Sequence, residues 1–162
     1  MPSIYSKEIM KHFKNPRNVG KIKNYDGLGQ VGNPYCGDIM EFYIKVGKDK
    51  KGEEIVQQAS FLTLGCAVAI ANSSALTEMV TGKKLEDVLK ITKEDLLSKL
   101  GVIPPPKIHC SFLAVDALGE AIYDYLTKNK REIHSKLLER HQQLQKEKEN
   151  VEKRYAKQEN KC

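Results

Sequence analysis

No run of apolar residues in this 162-residue chain approaches the eighteen or so that a membrane helix needs. The amino terminus, Met1 to Phe13, lacks the apolar stretch of a secretory signal. These absences predict a cytoplasmic protein with no membrane partner. Cysteine is sparse, with only Cys36, Cys66, Cys110 and Cys162. Without a secretory signal, four cysteines favour metal binding or reactive thiols over two disulfides. Internal repeats are absent, and residues 128–162 contain neither Gly nor Pro. Net positive charge is also scarce outside those residues. They hold eleven Lys/Arg against six Asp/Glu, whereas residues 1–127 hold sixteen against fifteen. Of the net charge of +6, +5 therefore belongs to the tail. A nucleic-acid footprint would cluster on the fold itself, so no nucleic-acid partner is expected.

What is present suits one soluble domain. The length and 40% hydrophobic content allow a real core, placed in residues 1–127, with 128–162 as a charged helical or partly disordered tail. A short helix is predicted over residues 3–13, stopped by Asn-Pro-Arg-Asn. Residues 20–35 read as loop with one weak strand. Met40, Phe42, Ile44 and Val46 then alternate with Glu41, Tyr43 and Lys45, which predicts a half-buried strand. Residues 54–64 read as a second strand. The Ala-rich run from Cys66 reads as a helix ending at Gly82. Leu85, Val88 and Leu89 suggest a short helix, and Thr92 with Asp95 opens another that ends at Gly101. Pro104–Pro106 forbid a helix there. The stripe Leu113, Ala117, Ala121, Tyr125 marks a strong helix, and the Lys/Glu/Gln-rich tail reads as its solvated extension. Leu137, Leu144 and Val151 recur every seven residues, but a coiled coil needs two apolar positions per heptad.

Residues 27–32, Gly-Leu-Gly-Gln-Val-Gly, match G-x-G-x-x-G in letters. A dinucleotide loop needs a buried strand before it and a helix after it. Here Pro34 and Gly37 follow, and then a strand, so the glycines are read as a mobile loop leading to Cys36 and Asp38. Cys36 and Asp38 are two apart, so an extended backbone points both the same way, with Gly37 leaving room for a close approach. Cys66 follows Gly65 at a strand-to-helix junction. His109 and Cys110 open the strongest helix. A helix amino terminus favours the thiolate, the form that binds metal and attacks sulfur. Each position alone has an ordinary structural reading, as a buried thiol or a capping histidine. Together Cys36, Asp38, Cys66, His109 and Cys110 offer one ligand more than a tetrahedral ion needs, which suits a site that exchanges its cargo. Cys162 reads as an incidental exposed thiol.

The segments Asn-Pro-Arg-Asn-Val-Gly, Gly-Asn-Pro-Tyr-Cys-Gly-Asp, Thr-Leu-Gly-Cys-Ala-Val-Ala-Ile-Ala-Asn and Lys-Ile-His-Cys-Ser-Phe resemble, in this order, the signatures of the IscU family. That family comprises iron–sulfur cluster assembly scaffolds and the amino-terminal domain of NifU. The resemblance covers about residues 3–127. It implies an α+β fold, a small antiparallel sheet packed against helices. It places the scaffold cysteines at Cys36, Cys66 and Cys110, with Asp38 and His109 as further ligands. It implies sulfur delivery by a cysteine desulfurase of the IscS or NifS type, with Cys110 the first acceptor, and iron bound among these residues. Electrons from a ferredoxin-type reductant would complete a 2Fe–2S cluster, which passes to recipient apo-proteins. Asp38 would govern the cluster's lability.

Two departures stand out. The family's Gly-Cys-Gly-Ser is Gly65-Cys66-Ala67-Val68 here. The family's segment for an Hsp70-type chaperone and its co-chaperone, Leu-Pro-Pro-Val-Lys, corresponds to Ile103, Pro104, Pro105, Pro106 and Lys107. Zinc suits the same ligands. The rival readings are a zinc-dependent sulfurtransferase of the SufU type and a zinc-stabilised interaction module. The SufU branch carries an insertion between the second and third cysteines, which the short Cys66–His109 spacing lacks. A monomer and a homodimer are both compatible with these residues.

Overall fold

The computed structural model describes residues 4–32 and 37–159. The order is helix α1 (Lys7–Lys14), strands β1 (Gly27–Gly32), β2 (Ile39–Lys48) and β3 (Glu54–Leu64), then helices α2 (Ala67–Val80), α3 (Leu85–Val88), α4 (Lys93–Leu100), α5 (Ile108–Lys128) and α6 (Ser135–Glu159). The strands form an antiparallel sheet in the order β1-β2-β3. The expected α+β architecture is present, with a charged helix at the carboxyl end.

The alternation in β2 works as expected on one face, where Met40, Phe42 and Ile44 are fully buried. The other face differs: Tyr43 is also buried, under the Tyr25 ring at 5.3 Å. Its hydroxyl donates to Glu41 Oε2 at 2.6 Å. Burial and that carboxylate push the Tyr43 pKa up to about 12. α2 is buried almost all round, between α1, α5 and β3. Its Ala and Ser side chains let those neighbours approach closely. Ser73 returns its hydroxyl to Ala69 O at 2.9 Å and Thr77 to Ser74 O at 2.7 Å, so polar residues are tolerated inside. The Thr92–Asp95 capping box opens α4 as expected.

The first helix begins at Lys7 rather than residue 3, because Ser6 caps it by accepting from Ile9 N–H at 3.1 Å. Its His12 is 4% exposed, with Nδ1 2.8 Å from Ser74 Oγ and Nε2 3.9 Å from Glu78. Burial holds its pKa below the ordinary 6.5. Glu78 and Glu8 pull it back up, while Lys11 and Lys99 oppose them. The folded state thus binds less proton than the unfolded chain. The stabilisation is complete above 6.5 and is lost as pH falls through the folded pKa. Each pH unit crossed in that window costs at most about 1.4 kcal/mol. Urea unfolding at pH 7.5 and 5.5 should show a fall in midpoint that is smaller in His12→Gln; equal falls would contradict this.

Two sequence readings are corrected. Residues 27–32 are not a mobile loop but a strand paired with β2 from Gly27↔Ile44 to Gly32↔Ile39. The glycines at 27 and 29 serve contact with α5. A Cβ would lie 2.1 Å from Ala121 O at Gly27 and 1.8 Å from Ala117 O at Gly29. The tail is not a continuation of α5. The Lys130 N–H donates to Thr127 O at 3.1 Å and the Arg131 N–H to Leu126 O at 2.9 Å, with Lys130 at φ 52. That is a helix stop of the kind glycine usually makes, hidden here because a lysine makes it. Arg131 anchors it on Glu54 at 2.8 Å. α6 then folds back on α5. Arg140 pairs with Asp116 at 2.5 Å, and His141 stacks on Tyr123 at 3.8 Å and meets Glu120 at 2.9 Å.

Candidate metal centre

Three elements bring the candidate ligands together. Gly37 has φ +73, a backbone that favours glycine, and it turns the chain into β2 with Asp38 at its mouth. Among the described residues a Cβ at Gly37 would meet nothing within 4 Å. The tight approach lies at Gly65. Its Cβ would lie 3.2 Å from Asp38 Cγ and 3.0 Å from Ala69 Cβ. The signal for Gly65 in the sequence is a glycine before a cysteine where a strand hands over to a helix.

Cys66 is the N-cap of α2, and Cys110 lies in the first turn of α5. Cys66 Sγ stands 3.4 Å from Cys110 Sγ, which stands 3.7 Å from Asp38 Oδ2. All three ligand atoms lie within 4.8 Å of one another. Ligands on a tetrahedral ion with bonds of about 2.3 Å stand about 3.8 Å apart, so the set has the spread that a metal ion requires. Asp38 is 7% exposed and Cys110 1%, while Cys66 is partly open to solvent. The amide groups at the starts of α2 and α5 add partial positive charge, which suits thiolates.

His109 does not join this compact set. Its Nε2 is buried without a hydrogen-bond partner among the described residues, an unusual state for a polar atom. Cys36 and Cys162 lie outside the described residues. Of the segment 103–107, Ile103 is buried in the core, whereas Pro105 and Pro106 are exposed in a short 3-10 turn leading into α5. Beside the site, the paired residues Ile39 and Leu64 are 52% and 74% exposed, an apolar rim. No helix among the described residues is long and apolar enough to cross a membrane.

Comparisons with known proteins bear on the family and the fold. The family model of the NifU-like N terminal domain matches residues 4–132. Iron-sulfur cluster assembly scaffold protein IscU 1 of Archaeoglobus fulgidus is 55% identical over 126 residues, 78% of this chain and 79% of that protein. The scaffold protein IscU of Escherichia coli is 48% identical over 131 residues, 79% of this chain and 97% of that one. In fold, the chain is similar to the crystal structure of a NifU-like amino-terminal domain from Brucella abortus. The TM-score is 0.60 at 22% identity, over 77% of this chain and 96% of that one. With the match running through the sheet, both cysteine-bearing helix starts and Asp38, this chain belongs to the NifU-like N-terminal domain family.

Proposed function

We propose that this protein is a scaffold on which 2Fe–2S clusters are assembled from iron and desulfurase-derived sulfur and then released to apo-proteins. The observation that carries this reading is the convergence of Asp38, Cys66 and Cys110 within 4.8 Å at the starts of two helices. The 55% identity to a curated scaffold protein supports it over the sulfurtransferase alternative. The scaffold function is assigned to residues 1–127, with 128–162 as an appended segment.

In this reading iron and cluster are cargo. Cys66, Cys110 and Asp38 provide three ligands, and Cys36 or His109 provides the fourth. The unpartnered Nε2 supports His109. Cys110 accepts sulfur by attack of its thiolate on the outer sulfur of the desulfurase persulfide. A Cys110 persulfide forms and the desulfurase thiolate leaves. Because Cys110 is buried and Cys66 is half-open, sulfur reaches Cys110 past Cys66. Reducing each such sulfur to sulfide takes two electrons, supplied by a ferredoxin-type reductant. The apolar rim of Ile39 and Leu64 suits docking of the desulfurase and of recipients. Ile103–Lys107 is the segment assigned to an Hsp70-type chaperone; with Ile103 buried in the core, Pro104–Lys107 would make the contact. Zinc would occupy the same donors in protein isolated without iron.

Anaerobic reconstitution with iron, cysteine and a desulfurase tests the proposal. A thiolate-to-iron absorption band, transferable to an apo-ferredoxin, is expected. Sulfur uptake with no iron chromophore would move the assignment to the sulfurtransferase. Asp38 supplies an oxygen ligand among thiolates, and thiolates hold iron more tightly. In Asp38→Ala the cluster is therefore expected to survive chelator longer than in wild type. Loss at the wild-type rate would remove Asp38 from the control of lability.

A further inference from the structure

The two edges of the sheet are not alike. The outer edge of β3 is occupied: Phe61 exchanges hydrogen bonds with Asn18 and Gly20, and Val56 with Gly82 and Lys83. The outer edge of β1 has no strand beside it among the described residues. There Leu28 turns its N–H outward to Asp124 Oδ2 at 2.9 Å. Strand alternation turns the backbone groups of Gln30 and Gly32 the same way.

α6 faces this edge but packs on α5, not on β1. Between them runs a groove of about 910 Å³, whose lining reaches Gly37 and Asp38. A helix that merely protected an edge would lie against it. This one stands off by a volume within the range of ligand sites, roughly 300–1,000 Å³. Leu28 and Val31 line one wall, and Leu144 and Val151 of α6 the other. Of the heptad row, Leu137 packs on α5, whereas Leu144 and Val151 line the groove. Six carboxylates line the groove with Lys128, Lys148 and His141; Glu41, Glu120 and Asp124 are engaged by Tyr43, His141 and Lys128, so Glu147 and Glu152 of α6 are the ones that turn negative charge to a partner. An open strand edge selects an extended backbone. An acidic rim selects cationic side chains.

We propose that this groove binds an extended segment of a partner protein, bearing Lys or Arg at alternate positions, which adds to β1 as a fourth strand and ends beside Asp38. The inference goes beyond the scaffold reading and does not rest on it. With the Leu28 N–H held by Asp124, the open edge runs from Gln30 to Gly32, about 10 Å, which pairs with the end of the peptide nearest Asp38.

The probe is a fluorescein-labelled heptapeptide of alternating Lys and Val, titrated by anisotropy into the metal-free full chain. Binding is expected to weaken at least about tenfold in Glu147→Lys/Glu152→Lys, whose changes lie on the surface of α6, and to fall with salt. Methylating alternate peptide nitrogens should abolish binding in one register and leave it intact in the other. Hydrogen exchange at the amides of Gln30 and Gly32 should slow at least about tenfold on saturation. Absence of binding overturns the proposal. So do affinity unchanged in the double variant, indifference to methylation in both registers, and exchange at Gln30 and Gly32 that does not slow. A concentration-dependent dimer that shields β1 and excludes the peptide would overturn it in favour of a second copy of this chain. Cluster reconstitution uses no peptide, so failure of either reading is visible without the other.

Discussion

Gly29→Ala is expected to destabilise the protein by about 3 kcal/mol or more, or to prevent it from folding. The added Cβ would stand 1.8 Å from Ala117 O and 2.6 Å from Ala121 N. Both are backbone atoms inside α5, so no side chain can turn aside. Either β1 must leave β2 or α5 must move bodily, and α5 carries Cys110 while β2 begins beside Asp38. A loss of this size is a large part of the 5–15 kcal/mol typical of a domain. Gly32→Ala is the control. It lies in the same six-residue strand, yet among the described residues its Cβ would meet only Asp38 O, at an ordinary 3.8 Å. That variant should unfold within about 0.5 kcal/mol of wild type. Urea unfolding of both distinguishes a packing role from a ligand loop, in which all three glycines would matter for binding and none for stability. Equal losses in the two variants would refute the packing account.

Cys110→Ala is expected to lower iron and cluster loading at least about tenfold and to abolish persulfide on the scaffold. Its Sγ is the central donor, 3.4 Å from Cys66 Sγ and 3.7 Å from Asp38 Oδ2, so removing it separates the other two as a ligand set. Alanine takes the thiol away from the buried Asp38 carboxylate and from Cys66, so the melting temperature of the metal-free protein serves as a check on folding. Metal analysis, the thiolate-to-iron band and mass spectrometry of the persulfide give three independent readouts. Retention of the band at wild-type intensity would exclude Cys110 as a ligand. Loss of loading with persulfide retained would move sulfur acceptance to another thiol, with Cys66 the nearest.

The sequence was legible wherever its signal was local. Alternation found β2, the Thr92–Asp95 pair found the start of α4, and Gly65-Cys66 found the mouth of α2. The helix beginning near His109-Cys110 was also visible, as the apolar stripe that follows it. The misreadings share one cause. Gly27 and Gly29 looked like loop residues because their reason lies across space, in the carbonyls of Ala121 and Ala117. The stop after α5 was invisible because Lys130 occupies the left-handed position that glycine usually takes. Tyr43 was assigned to a solvent face because nothing local announces the ring of Tyr25 above it.

The residues by themselves determined the chemistry available: thiols and a carboxylate at the ends of regular elements, where backbone amides lie exposed to receive anions. Composition determined that the charge sits in the tail. Only the tertiary structure decided that Asp38, Cys66 and Cys110, separated by up to 72 positions, stand within 4.8 Å. It alone decided that α6 returns along α5 and leaves a groove beside β1. Ligand type and helix ends are local properties, set by a residue and its near neighbours in the chain. Convergence and grooves depend on how closely two backbones can approach, and here that distance is set by glycines 27 and 29 under α5 and by glycine 65 beside Asp38.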